Sequence, residues 1–205
     1  MFQAASKQDQ LRKILPLLVF VFVLLLAGCS KEQQFRQDEV LQPTLFTRNT
    51  IFKGNHFSNQ SNIKAFSGNS ISVNVRFDSS AIYQTTDTEN QEDINKLVGF
   101  SEGSNNHLNS ARIGWNWSKN ALKLYAYAYI NGQRVAQEIA IINIGDTVRC
   151  NISVTSTKYV FVVGDKLIEL PRAPGASKVS GYWQYSYFGG DEVAPHNIYI
   201  DIEYL

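Results

Sequence analysis

Two rows of aromatic residues are the part of this sequence best suited to hold a ligand. In "ALKLYAYAYI" (121–130), Tyr125, Tyr127 and Tyr129 alternate with Leu124, Ala126, Ala128 and Ile130. On an extended strand the phenols then occupy one face and the aliphatic side chains the other. In "GYWQYSYF" (181–188), Trp183, Tyr185 and Tyr187 share a face by the same rule. Aromatic rings stack on the apolar faces of sugars, whose hydroxyls then need amide, phenol or guanidinium partners at the rim. Arg112 and Asn116, two strand-spaced residues of "SARIGWNW", supply those groups. These eight residues form the candidate binding set. Two arrangements satisfy the alternation equally: the rings line an open furrow, or they fill the core and Ala126 and Ala128 face outward.

Catalysis needs different residues. Glycoside hydrolysis with retention takes two carboxylates roughly 5 Å apart across the scissile bond. The nearest approach is Tyr199-x-Asp201-x-Glu203, where Ile198, Ile200 and Ile202 alternate with the polar set. A solvated outer face accounts for those acids. Eliminative cleavage of a uronate takes a base and a group that neutralises the carboxylate, and His107, Tyr187, Arg112 and Asn116 have the right chemistry. His56, His107 and His196 are scattered, without the spacing of zinc ligands. His196 follows Pro195 at the start of a strand, where its ring is expected to bond a loop. Asp191, Glu192 and Asp201 offer oxygens, but no calcium-ligand string surrounds them. No metal, no cofactor and no catalytic residue is assigned.

The elements that must position these residues have period two. "SISVNVRF", "NKLVGFSE", "SARIGWNW", "QRVAQEIAII", "DTVRCNISV", "KYVFVV", "KLIEL" and "NIYIDIEYL" are short, rich in β-branched and aromatic residues, and punctuated by Gly, Asn, Asp or Pro. Asn131-Gly132 suits a type I′ hairpin turn, and Gly164-Asp165 marks a second hairpin. No stretch has a helical apolar stripe, and "DTENQEDINKL" holds at most one turn. Many antiparallel strands at short spacing predict an all-β antiparallel sandwich or jelly roll spanning residues 43–205 as one domain. Cys150, in "DTVRCNISV", is expected to be a small buried hydrophobe.

The strings "LVGFSEG", "SARIGWNW", "LYAYAYINGQ" and "YFGGDEVAPHNIYIDI" resemble the concanavalin A-like lectin/glucanase superfamily, and more narrowly its small lipoproteins in Bacteroidetes. The resemblance runs from about Asn95 to Leu205 and is weaker over 43–90. It implies two sheets packed face to face, one concave and able to hold a glycan, and it leaves catalysis open, because the fold hosts lectins, hydrolases, lyases and inert domains. Jelly-roll glucanases carry Glu-x-Asp-x-Glu, and here the first acid is Tyr199. Jelly-roll alginate lyases carry three motifs. "YFGGDEV" keeps Tyr187 and Phe188 but has Val193 at the second tyrosine position; "ARIGW" keeps one arginine without the glutamate; the Gln-Ile-His string is missing. The expected function is therefore non-catalytic binding of a carbohydrate or other surface ligand. A polysaccharide lyase and a structural envelope protein are the alternatives.

The front of the chain carries an address. Lys7, Arg12 and Lys13 precede an apolar run from Ile14 to Leu26, followed by Ala27, Gly28 and Cys29. Thirteen helical residues span about 20 Å, short of the roughly 30 Å hydrocarbon core, so residues 1–28 read as a secretory signal peptide. "LAGC" resembles the bacterial lipobox, which implies cleavage before Cys29 and acylation of its sulfur and new amine. By the same resemblance to lipoproteins, Ser30 and Lys31 after the cysteine, with no aspartate there, imply sorting to the outer membrane. Residues 29–42, polar and rich in Gln and Glu, form the expected tether. The whole chain has 19 basic and 18 acidic residues; the leader removes three and one of them, which leaves a charge near zero. No basic stripe interleaved with aromatics points to nucleic acid.

Overall fold

A computed structural model of the protein describes residues 45–205, and the expected signal segment, Cys29 and the tether lie outside the described residues. Twelve strands follow one another: β1 (Thr47–Ile51), β2 (Ala65–Gly68), β3 (Ser70–Phe77), β4 (Asn95–Ser101), β5 (Ser110–Ser118), β6 (Ala121–Ile130), β7 (Gln133–Ile142), β8 (Thr147–Val154), β9 (Lys158–Val163), β10 (Lys166–Pro171), β11 (Val179–Gln184) and β12 (Ile198–Tyr204). They form two six-stranded sheets in the orders β1-β12-β3-β8-β9-β10 and β2-β11-β4-β5-β6-β7. Every pairing is antiparallel. This is the all-β jelly-roll sandwich that the period-two pattern predicts.

Alternation sorts the side chains. Ile71, Val73, Val75 and Phe77 of β3 and Ile198, Ile200 and Ile202 of β12 face Ile113 and Trp115 of β5 and Leu122, Leu124, Ala126 and Ala128 of β6 in one buried core. The alanines of β6 therefore point inward and its tyrosines outward, which decides between the two arrangements open at the sequence level. Asp201, on the outer face of β12, pairs with Arg48 and Arg76 at 2.8 and 3.1 Å, and Glu203 accepts from Asn74 Nδ2. Both acids lie on the sheet opposite the tyrosines, Glu203 part-exposed as expected and Asp201 buried beneath its two arginines rather than solvated. Cys150 is buried, and burial pushes its thiol up to about 12.

The turns follow their chemistry. Asn131 and Gly132 both have positive φ, at 51° and 83°, and join β6 to β7 as a two-residue turn. Gly164 does the same between β9 and β10. The β5–β6 turn uses Lys119 and Asn120, both left-handed without a glycine. The predicted single turn in "DTENQEDINKL" is a 3-10 segment, Thr88–Glu92, capped by the Asp87 carboxylate.

Candidate functional site

The outer face of the β2-β11-β4-β5-β6-β7 sheet carries an open trough of about 900 Å³. Register places its groups in rows. Gly99, Arg112, Tyr127 and Ala136 lie side by side across β4, β5, β6 and β7, and Ser101, Ser110, Tyr129 and Arg134 form the next row. Tyr187 bridges Lys96 at the start of β4 through reciprocal backbone bonds of 2.8 and 2.9 Å. Tyr182, Gln184 and Tyr185 build one wall, and Arg134 the opposite rim.

Arg112 sits at the bottom, with 5% of its surface exposed. Its stem crosses Gly99, where an added Cβ would lie 2.8 Å from Arg112 Cγ and 2.1 Å from the Ala111 carbonyl oxygen. Arg112 Nη2 donates to the Asn106 carbonyl at 3.1 Å and to Ser110 Oγ at 3.4 Å, and Nε is buried without a partner. Asn106 Nδ2 in turn donates to Gln184 Oε1 at 3.0 Å, linking the floor to the wall. The Lys96 ammonium lies 5.1 Å from the Tyr127 ring centre and 5.8 Å from that of Tyr187. Burial, with Arg112 and Arg134 nearby, lowers Lys96 to about 8. Burial pushes the Tyr127 phenol up to about 12, so it is a hydrogen-bond donor at neutral pH rather than a phenolate. His107 packs on Tyr129, and His56 stacks on Tyr187 at 5.2 Å.

Of the eight residues expected from the sequence, Arg112, Tyr127, Tyr129, Tyr185 and Tyr187 line this trough. Trp183 borders it but points the other way. Its ring packs edge-on against Phe66 and Tyr204, beneath the Lys64 ammonium at 5.2 Å. The shared face predicted for Trp183, Tyr185 and Tyr187 fails because Trp183 lies opposite the buried Phe100 of β4, and β11 ends at Gln184, so strict alternation does not carry on to Tyr185 and Tyr187. Asn116 and Tyr125 stand apart: Tyr125 donates to Asn116 Oδ1, and Asn116 Nδ2 reaches the Glu92 carbonyl, which buttresses the 3-10 segment. The sequence reading missed Lys96, Asn106, Arg134, Tyr182 and Gln184. Arg134 had a usable signal, since a two-residue turn at Asn131-Gly132 places it opposite Tyr129.

The remaining candidates have structural partners. His196 Nε2 donates to the Ser80 carbonyl, so its partner is the 3-10 segment Ser79–Ala81 rather than the loop expected. Glu192 accepts from the amides of Thr86 and Asp87 and from Asn90 Nδ2. Those bonds hold its carboxyl down at about 2. Among the described residues no group of three or more His, Cys, Asp or Glu is placed to hold a metal ion. Asp191 is the one carboxylate among the described residues lining the trough, so the trough lacks the carboxylate pair a glycosidase needs.

No protein-family model matches the chain, and no curated protein does. Solved structures with a similar sandwich include an alginate lyase, at 9% identity over 76% of this chain and 67% of its own, with a TM-score of 0.48. A LamAcat structure from Zobellia galactanivorans aligns at 9% identity over 78% and 74%, with a TM-score of 0.44. A β-1,3-1,4-glucanase (lichenase) from a mouse hindgut metagenome aligns at 13% over 78% and 79%, with a TM-score of 0.40. Likeness at this level concerns the arrangement of sheets, and what each neighbour acts on belongs to that neighbour.

Proposed function

We propose that the protein is a lipid-anchored, lectin-like module of the bacterial outer membrane that holds a carbohydrate chain in the tyrosine trough without cleaving it. One observation supports this above the rest: Tyr127, Tyr129, Tyr182, Tyr185 and Tyr187 converge on one open furrow with Arg112 and Gln184 among them. Rings and planar hydrogen-bonding groups in alternation suit a polymer of sugars, which presents apolar faces edged by hydroxyls. The open shape admits a chain rather than enclosing a small molecule. Tyr129→Ala removes a part-exposed ring of the floor and is expected to weaken retention on an immobilised glycan array about tenfold, a loss of about 1.4 kcal/mol. Retention unchanged by that substitution would count against the trough as the site.

A second reading rests on Arg112, His107 and Tyr187 lining the same trough, a carboxylate-neutralising group together with two possible bases. Incubation with polyuronates distinguishes it. Growth of ultraviolet absorbance from an unsaturated uronate would establish a lyase, and a flat trace with retention of polymer favours binding. The anchor is tested separately: radiolabelled palmitate is expected to enter the wild-type protein and not Cys29→Ala. Equal labelling of the two would remove the lipid from the proposal.

A further inference from the structure

Resting on the carbohydrate reading of the trough, we infer that the preferred ligand is an acidic glycan, whose carboxylate or sulfate oxygens seat on Arg112 and Lys96. Among the described residues the trough holds three cations, Lys96, Arg112 and Arg134, against a single carboxylate, Asp191. None takes part in the ion pairs of the described residues, which use Arg48, Arg76, Lys123, Lys158, Lys166 and Arg172. Arg112 is the decisive one. A guanidinium keeps its charge at any physiological pH, and burying a charge without a counter-ion is costly. Here the group is 5% exposed, faces Tyr127 at 5.9 Å, and leaves Nε without an acceptor. An anionic oxygen seated against the guanidinium would supply the missing counter-charge and offset the repulsion among the three cations. A neutral sugar would leave the charge unbalanced.

The surroundings fit an anion held by its sugar. Lys96 is braced between the faces of Tyr127 and Tyr187, which partly offset its desolvation. Arg134 lies two strands across and two residues along from Arg112, about 12 Å at ordinary strand geometry. The charges are thus spread along the furrow, as the acidic groups of a polymer are, rather than gathered round a single ion.

Affinity should depend on pH through Lys96. The groups facing it are Arg112 on β5, Tyr127 on β6, Arg134 on β7, Tyr187 after β11 and Asp93 before β4. Its ammonium is depressed to about 8 when the trough is empty. A bound anion favours the charged form, so above about pH 8 binding must take up a proton, and affinity falls by up to about tenfold per pH unit.

The test uses the full-length protein in detergent, with binding measured to polygalacturonate, to a sulfated galactan, to a neutral β-glucan and to poly-glutamate. Expected is at least tenfold tighter binding to one of the acidic glycans than to the β-glucan and to poly-glutamate. Which of the two it is distinguishes carboxylate from sulfate. Arg112→Gln should weaken that binding at least thirtyfold with an unchanged circular dichroism spectrum, and Lys96→Met should flatten its decline between pH 7.5 and 9.5. Should Arg112→Gln disturb the fold, Arg134→Gln at the rim, expected to weaken binding three- to tenfold, carries the test. Equal binding of the neutral glucan, insensitive to these substitutions, would overturn the acidic preference and leave the carbohydrate reading standing. Equal binding of poly-glutamate would reduce the site to a bare polyanion patch and overturn the inference. Binding to none of the four polymers would overturn both readings.

Discussion

Glu102→Ala is expected to destabilise the protein by about 3–5 kcal/mol, the cost of stripping the partner from a buried charge. Arg172, just beyond β10, has a side chain only 2% exposed, and it donates to both Glu102 oxygens, at 2.6 and 2.7 Å. Glu102 follows β4 in the other sheet and also accepts from the Tyr159 hydroxyl on β9. The carboxylate therefore clamps the two sheets at one end of the sandwich. Its removal leaves the guanidinium with backbone carbonyls alone, those of Thr155 and Ala176. The reverse change, Arg172→Met, should cost less, because the Glu102 side chain is 22% exposed and water can reach it. Urea unfolding measures both, and the double variant should recover much of the loss. In a thermal scan the single Glu102→Ala change corresponds to a fall of about 10 °C for a domain of this size. A loss below about 1 kcal/mol would show that the clamp does not hold the sheets together.

Gly99→Ala should damage both fold and binding through one added methyl group. Gly99 has ordinary strand geometry, so the constraint is space rather than a left-handed φ. A Cβ there meets a backbone oxygen of β5 at 2.1 Å, and a paired strand in mid-sheet cannot yield as a side-chain tip can. The expected cost is about 3 kcal/mol, the upper part of the range for overpacking. The methyl also contests the place of the Arg112 stem, so acidic-glycan affinity should fall by tenfold or more in whatever fraction stays folded. Stability within about 0.5 kcal/mol of the parent would show that the strands can part cheaply.

Period two made the sandwich legible, because each buried strand alternates for its own local reason and the turn pairs Asn131-Gly132 and Gly164-Asp165 announce themselves. The tyrosines of β6 were legible as a face. Which side that face took was not, since alternation is symmetric and only the partner sheet decides it. The neighbours of those tyrosines were hidden for two further reasons. Lys119-Asn120 makes a tight left-handed turn without glycine, so the register that sets Arg112 beside Tyr127 had no marker in the composition. The end of the β11 ladder at Gln184 has no marker either, and the Lys96–Tyr187 bridge that presents both side chains to the trough lies beyond it. Asn116 has the chemistry of a ligand residue, yet its burial beside Tyr125 spends it on support.

The bonds gathered by Glu192 bear on how the wall of the trough behaves in acid. This carboxylate fastens the segment after Tyr187 to the loop ahead of β4, the two stretches that flank the Lys96–Tyr187 bridge. A carboxyl held near 2 keeps its charge, and so its grip on those amides, as pH falls through the ordinary carboxylate range; the fastening is released only when pH drops below about 2. The shape of the wall and the charge on its lysine thus answer to opposite ends of the pH scale. A mildly acidic medium leaves the contour untouched and the lysine fully cationic, whereas an alkaline one keeps the contour and removes the charge.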